Sequence, residues 1–400
     1  MIDRRRGGLK LIALASGAAI VAVACTGLDG LADGNDPPDA GPVGPEGSAA
    51  DTSPAEPADS GACPTADLQS DPKQCGRCGH DCLGGACTAG TCEAVVMADG
   101  LGNPTGLALG PSDVYVTASS TGVVFSLPKL GGAATALASN EKNARGVAVI
   151  GTRLYWGNGD YAFNDAGSRG GIWQCMLPNC TNKQLLAPGD FAAYPVIRGS
   201  LLYFASVNDD QVKRVPLTGG PPLTVALANK PFGLAVDDVH VYYTSRERTV
   251  SRALGDGGTA GSEQIVGSGG DMSGFLAVDD ARAYWAYSEL NGSGSVIGAA
   301  KDLSGSLSYG TSVENVFPVG IAVDADNVYW STAGTTVGLV PNGDGKIFAC
   351  KKTGCVGAAV LLASGNRNAG PMALDDSAIY WVEYGTDGLS NGRLRKVAKP

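Results

Sequence analysis

Short apolar strands separated by turns bearing Gly or Asp fill the chain from residue 94 to its end, and they recur. Pro104-Thr-Gly-Leu-Ala-Leu, Gly146-Val-Ala-Val-Ile, Tyr194-Pro-Val-Ile and Pro231-Phe-Gly-Leu-Ala-Val open four units, and Gly274-Phe-Leu-Ala-Val, Pro318-Val-Gly-Ile-Ala-Val and Pro371-Met-Ala-Leu open three more. After a polar turn, each is followed by an apolar-aromatic strand centred on Tyr115, Tyr155, Tyr203, Tyr242, Tyr284, Tyr329 or Tyr380. The intervals between those tyrosines are 40, 48, 39, 42, 45 and 51 residues. A period of this length, divided into several short strands, predicts four-stranded propeller blades. A helical solenoid would show a 3.6-residue period, and the chain shows none.

The parts of a unit follow from their residues. The first strand is small and apolar, as a crowded central channel requires. The second carries the Tyr-Trp pairs, whose rings fill the space between sheets. The third follows a Gly, as in Gly392-Arg393-Leu394, and the fourth is of the Ala359-Val360-Leu361-Leu362-Ala363 kind. The seventh unit stops at Pro400, before its fourth strand. Ala94-Val95-Val96-Met97-Ala98-Asp99-Gly100 matches Ala359-Val360-Leu361-Leu362-Ala363-Ser364-Gly365 almost residue for residue and precedes the first unit. The expectation is an all-β, seven-bladed β-propeller of four-stranded antiparallel blades over residues 93–400. The N-terminal strand at residues 94–99 closes it by pairing near Leu394, which removes an exposed sheet edge.

Composition agrees with a turn-rich β protein: 59 Gly, 22 Pro and only 17% charged residues. It also separates the N-terminus from the rest. Arg4, Arg5, Arg6 and Lys10 precede an apolar run from Leu11 to Ala24, too short to span a bilayer and of signal-peptide length. The run ends Ala22-Val23-Ala24-Cys25, so residues 1–24 read as a signal peptide. Two processing outcomes follow. Ala-x-Ala suits a general signal peptidase and a soluble secreted product; small residues before Cys resemble a bacterial lipobox, with Cys25 lipidated. Ala22 stands where that motif usually carries Leu, and Thr26 after the Cys favours the outer membrane. Arg5-Arg6-Gly7-Gly8-Leu9-Lys10 also resembles a degenerate twin-arginine signal. Residues 26–62 hold eight of the acidic side chains, no Lys or Arg and no aromatic residue. They read as an extended, disordered linker behind Cys25. The net charge of −10 comes largely from there, and with no basic patch elsewhere nucleic acid is excluded as an expected partner.

Setting Cys25 aside leaves ten of the eleven cysteines. Cys63, Cys75, Cys78, Cys82, Cys87 and Cys92 form a cluster over residues 63–92. Cys75-Gly76-Arg77-Cys78 with His80 nearby has zinc-knuckle spacing. A small Gly-rich six-Cys segment of an exported chain reads instead as a disulfide module, with fifteen pairings open. It resembles Cys-rich segments that precede propellers in exported bacterial lipoproteins. Cys175 and Cys180, and likewise Cys350 and Cys355, flank short hairpin turns between third and fourth strands and read as cross-strand disulfides.

Through Tyr155-Trp156, Tyr284-Trp285, Tyr329-Trp330 and Tyr380-Trp381 the chain resembles YWTD-type propellers. It departs from them in lacking the Asp (Ser331-Thr332 and Val382-Glu383 stand there) and in its count of seven. The resemblance implies a fold and a habit of binding ligands. Asp237-Asp238, Asp279-Asp280, Asp324 and Asp375-Asp376 could be taken for the channel metal ligands of gluconolactonase-like hydrolases. Their recurrence at one turn marks them as turn formers. Streptogramin lyases, also seven-bladed, use a His; here the propeller has only His240, with no partner to name. Neither a nucleophile elbow, a metalloprotease helix nor a phosphate loop is present. Asn342-Gly343-Asp344-Gly345 reads as a hairpin turn rather than a calcium loop. No catalytic, cofactor or metal residue is assigned. The expected function is a tethered ligand-binding or protein-interaction propeller taking a protein or glycan, with the membrane reached only through the lipid. The alternatives are a metal-dependent lactonase or lyase and a structural envelope component.

Overall fold

The structure, a computed structural model, describes residues 67–159, 170–257, 263–268, 270, 272–289, 291–310, 316–337, 340–355, 357–386 and 390–400. The signal and linker segments, Cys25 and Cys63 lie outside the described residues. Apart from one 3-10 turn at Asp67–Gln69, every described element is a strand. Seven four-stranded antiparallel sheets make seven blades: residues 104–138, 145–188, 192–227, 234–268, 272–309, 318–366 and 369–398. The seventh borrows its outer strand, Val95–Asp99, which pairs with Arg393–Ala398 in the register Val95↔Lys396 and Asp99↔Arg393. The first strands pack side by side around a channel, and Pro104–Leu109 touches both Arg145–Ile150 and Ala369–Leu374. The ring is closed.

Strand alternation explains how the blades stack. Successive residues of a strand point to opposite faces of its sheet, so Tyr and Trp of one second strand serve two different interfaces. Tyr115 packs with Trp156 of the next blade, Tyr242 with Trp285, Tyr284 with Trp330 and Tyr329 with Trp381. All four indoles are fully buried. Each such aromatic buries on the order of 150–250 Å², so these four gaps are filled chiefly by one ring from each side.

An ion pair joins the same neighbours. In blades 4 to 7 the turn after the first strand starts with Asp237, Asp279, Asp324 or Asp375. One carboxylate oxygen accepts two backbone N–H groups of its own turn, at 2.8 and 2.7 Å for Asp237. The other accepts the hydroxyl of the blade's own tyrosine, at 2.9 Å for both Tyr284 and Tyr329. It also meets a lysine of the following blade: Lys301 at 2.7 Å, Lys352 at 2.6 Å, Lys399 at 2.9 Å and Lys129 at 2.9 Å. Each lysine directly follows a third strand, its own N–H bound to the adjoining turn of its own blade. The last pair, Asp375 with Lys129, links blade 7 to blade 1. The pattern is complementary. Blades 1 to 3 carry Gly110, Ile150 and Arg198 where the aspartates stand, and blades 2 to 4 carry Leu177, Leu217 and Gly255 in the lysine place.

The hairpin disulfides reach into this ring core, with Cys175 buried in the cluster of Tyr115 and Trp156 and Cys350 in that of Tyr284 and Trp330. Cys175 is bonded to Cys180 and Cys350 to Cys355. In the Cys-rich segment Cys75 is bonded to Cys87 and Cys82 to Cys92, and these four are buried with Leu83 against Ala398. Among the described residues Cys78 has no disulfide partner and is exposed; Cys63, the other cysteine of the cluster, lies outside the described residues. The four cysteines that reach the interior pair among themselves, while Cys78 sits on the turn between Gly76 and Gly79. His80 is engaged elsewhere than a zinc site, its ring nitrogens 2.6 Å from the Cys75 carbonyl and 2.7 Å from that of Lys399. That second contact ties the module to the last residues of blade 7. Disulfides of this number belong to an oxidising, exported environment. No helix among the described residues is long and apolar enough to cross a membrane.

Two stability measurements test this arrangement. Burial pushes the latch carboxylates up, but the neighbouring ammonium and the two backbone N–H groups outweigh it and hold Asp237 and Asp324 at about 2. Asp279 and Asp375 shift down for the same reasons. A carboxylate that titrates lower folded than unfolded contributes stability above the ordinary range near pH 4, and loses it as pH falls toward about 2. Thermal midpoints are therefore expected to drop across that window, and less steeply for an Asp237→Asn, Asp324→Asn double variant; equal slopes would remove the latches from the account. Deleting residues 93–100 strips the outer strand from blade 7. At about 1 kcal/mol per ladder hydrogen bond, the cost is roughly 4 kcal/mol and lowers the midpoint by about 10 °C. An unchanged midpoint would mean that the borrowed strand does not hold the ring.

Candidate functional site

Antiparallel connectivity sorts the loops onto two faces. Turns joining strands one to two and three to four lie on one face, with the Asp–Lys latches, both hairpin disulfides and the contact to the Cys module. Loops joining strands two to three, and one blade to the next, lie on the other. The recurrent aspartates are thus spread around the first face, each already holding a lysine and a tyrosine. His240 starts its strand on the same face, where burial lowers its affinity for a proton. The channel itself is narrow, about 120 Å³, and lined by groups such as Gly106, Leu107, Gly146, Val147, Leu234 and Met372.

The second face is uneven because some of its loops are long; those of blades 6 and 7 are largely described, whereas most of the blade 2 loop, 160–169, lies outside the described residues. In blade 6 residues 333–344 include a small hairpin of Thr336–Val337 with Val340–Pro341. Asp344 clamps its base, accepting the Thr335 N–H at 2.8 Å and the Thr335 hydroxyl at 2.6 Å. The turn expected at 342–345 is therefore the loop's base, not its tip, because the Asp344 carboxylate is spent on holding Thr335. Blade 7 repeats the device: Asn391 accepts the Thr386 N–H at 2.9 Å and donates to its hydroxyl at 2.9 Å. Gly334 and Gly385, both at positive φ, lie so close to these clamps that a Cβ would sit 2.3 Å from Asp344 Oδ1 and 2.1 Å from Asn391 Oδ1. Only glycine fits there.

Beside these loops is a cavity of about 330 Å³ whose walls are Phe232, Phe275, Phe317, Pro318, Val319 and Tyr384. Its polar lining is sparse: Ser288, Asn368 and Thr336, of which the Ser288 hydroxyl already donates to the Pro318 carbonyl at 3.1 Å. None of the described lining side chains is ionised. Tyr194 continues the aromatic wall toward the channel, with ring centroids 4.9 Å from Phe232 and 5.8 Å from Phe275. Burial, then the nearby Tyr194, push the Tyr384 phenol far up, so it stays neutral. A groove of about 410 Å³ between the Cys module and blade 6 is more polar, with Glu93 and Arg395 in its wall.

Backbone conformation marks one of these aromatics, Phe317, together with its counterparts in two other blades. Phe191, Phe317 and Asn368 occupy one equivalent place, directly before the first strand, each accepting the N–H that follows its blade's second strand. All three have positive φ: 50° for Phe191, 48° for Phe317 and 63° for Asn368. Asn tolerates this conformation, whereas a bulky side chain is strained by about 1–2 kcal/mol. Tyr194, at φ 54°, is strained likewise. Residues held in such conformations gather at functional sites.

Sequence reasoning missed this cavity, since Phe232, Phe275, Phe317 and Tyr384 come from four blades and share no motif. It missed the buried carboxylates too. Glu141 takes the Trp156 indole N–H at 2.9 Å, the Asn158 amide at 2.9 Å and the Lys183 ammonium; Glu383 takes Arg395 at 3.2 Å and the Arg367 N–H at 3.0 Å. Both are fully occupied in holding loops to blades 2 and 7.

No protein-family model matches the chain, and no curated protein matches it in sequence. Solved structures do. The chain is similar to the WD40 β-propeller domain of Doa1, with a TM-score of 0.53 and 12% identity over 77% of this chain and 97% of that one. It also matches the computationally designed Ika8 protein (TM-score 0.48, 13% identity, 74% of this chain and 98% of that one). A chain of a nidogen/laminin complex matches at 0.43 and 13% identity, over 59% and 88%. The likeness to the Doa1 domain, at this identity, shows the fold alone: the chain is a β-propeller, and its own sheets count seven blades.

Proposed function

We propose that this chain is a binding propeller, exported and held to a membrane by lipid on Cys25, which engages its ligand on the face of the long loops. The observation that carries this reading is the apolar cavity of about 330 Å³ on that face. It is concave, and its described lining is aromatic and uncharged with few polar groups, as binding sites are. The latched face, by contrast, carries the Cys module. Anchoring in the outer membrane, on its periplasmic or surface side, fits the acidic linker and the signal-like N-terminus. The hydrolase alternative finds less support, because the aspartates that would hold a metal are already bonded to Lys301, Lys352, Lys399 and Lys129.

Site-specific photo-crosslinking separates the two faces. Val340 is 57% exposed beside the cavity and Leu130 is 98% exposed on the opposite face. A photoreactive residue at 340 is expected to give discrete adducts in cells, and one at 130 none; adducts from 130 alone would place the binding face elsewhere. For the anchor, metabolic labelling with an alkyne fatty acid should mark the wild-type chain and not Cys25→Ser. A soluble, unlabelled wild-type product would favour simple secretion.

A further inference from the structure

Whatever the cavity binds, the long loop of blade 6 carries a chemistry of its own. The chain holds four Asn-Gly pairs: Asn158-Gly159, Asn291-Gly292, Asn342-Gly343 and Asn391-Gly392. In such a pair the side-chain amide carbon lies within reach of the next backbone nitrogen, and glycine has no Cβ to shield that nitrogen. We infer that Asn342 is a site of spontaneous deamidation, whose conversion loosens the base of the blade 6 loop. What singles it out is an exposed asparagine followed by a glycine N–H that no acceptor holds.

The fold protects three of the pairs. The Gly159 N–H donates to the Lys142 carbonyl at 3.0 Å, that of Gly292 to Glu289 at 2.9 Å and that of Gly392 to Gly102 at 2.9 Å. All three glycines are buried. A Cβ on them would meet Phe191 Cα at 2.8 Å, a Phe317 ring atom at 2.8 Å and the Gly102 oxygen at 2.2 Å, so the backbone there is hemmed in. Their asparagine side chains are engaged as well: Asn158 donates to Glu141 at 2.9 Å, Asn391 to Thr386 at 2.9 Å, and Asn291 accepts the Ser293 N–H at 3.0 Å. Reaction at these pairs has to wait for local opening. Gly343 differs. Among the described residues its N–H meets no acceptor, and a Cβ on it would find nothing within 4 Å. Asn342 is exposed, its amide nitrogen held only by the Thr335 hydroxyl at 2.8 Å.

The reaction needs only water. The Gly343 nitrogen gives its proton to hydroxide and attacks Asn342 Cγ. As the N–Cγ bond forms the Cγ–Nδ2 bond breaks, and the amide nitrogen takes a proton from water and leaves as ammonia. Water adding at Cγ of the resulting cyclic imide restores the ordinary peptide bond and gives aspartate. Water adding at the backbone carbonyl leaves the chain running through Cγ and gives isoaspartate. Either product puts a carboxylate where an amide donated. The Thr335 hydroxyl, which already donates to Asp344 at 2.6 Å, then has one proton for two carboxylates, and those like charges repel. The loop base loses a hydrogen bond, next to Thr336 and Pro341 in the cavity lining.

Ageing the purified chain at neutral and at mildly alkaline pH, followed by peptide mapping with mass spectrometry and enzymatic detection of isoaspartate, tests the site. Asn342 is expected to convert at least about tenfold faster than Asn158, Asn291 or Asn391, since those wait on opening of the fold. Its rate should rise with pH, because the attacking nitrogen must lose its proton. The same chain reduced and unfolded in guanidinium should convert all four pairs at comparable rates. The loosening is read in the Asn342→Asp variant by amide hydrogen exchange at Thr335 and residue 342, whose N–H groups bond Asp344 at 2.8 Å and the Thr335 carbonyl at 2.9 Å. Protection of both should fall by about fivefold, the worth of one hydrogen bond, with the blade strands unchanged. An Asn342 that stays intact while the unfolded chain converts, or another pair that keeps pace with it in the folded chain, would overturn the site. Unchanged protection at both amides in Asn342→Asp would overturn the loosening.

Discussion

Everything in this molecule depends on a sheet edge being covered. Six blades complete their four strands from consecutive sequence, but the seventh ends at Ala398 with its third strand. An open edge there would leave a row of unpaired backbone groups. Val95–Asp99, folded back from before the first blade, supplies the missing ladder. With it the two ends of the propeller belong to a single sheet, and blade 7 presents a whole face to blade 1. The cluster of Tyr380, Val382 and Leu394 with Val114, Val116 and Leu127 can then form across the seam. The His80 contact to the Lys399 carbonyl reinforces the same corner.

Given closure, the blades need only match their neighbours, and two devices do so. The alternation of a tyrosine with a second apolar or aromatic side chain, Trp in four blades, is general. The Asp–Lys latch is polar and occurs at four of the seven junctions, with donor and acceptor both absent at the other three. Its aspartate is preorganised before the lysine arrives, by two turn N–H groups and the tyrosine hydroxyl. A partly buried carboxylate so held loses little on meeting an ammonium, which is why these pairs are worth more than exposed surface pairs. Three of the lysines also lie 5.9 or 6.0 Å from the ring centroid of the tyrosine whose hydroxyl shares the aspartate. One cluster thereby completes a turn, a hydrogen bond and a blade junction.

The division of labour between faces follows. Short turns suit the latched face, because a latch requires the aspartate at a fixed place beside its blade's second strand. The opposite face carries no such requirement, so its loops can lengthen, and in blades 6 and 7 they do, each with a clamp at its base. Phe317 in the wall of the cavity holds a positive φ there, as the buried Phe191 does at the same place in blade 3. Stability resides on one side of the ring and the strained aromatics on the other.

Sequence alone determined the elements whose signal is local and repeated. Tyrosines at intervals of 39 to 51 residues located the second strands, and the match of residues 94–100 to 359–365 identified the strand that closes the ring. The recurrent aspartates were legible as turn formers, since the same residue at the same offset meets the same backbone. Their lysines were not: Lys301 lies far from Asp237 along the chain, and only the stacking of blades brings them within 2.7 Å. The cysteine spacing left fifteen pairings, and burial chose between them by drawing four sulfurs inward and leaving Cys78 outside. The aromatic cavity was beyond sequence for the same reason. Its side chains come from four blades, and no period in a one-dimensional pattern records which of them will meet when a ring closes.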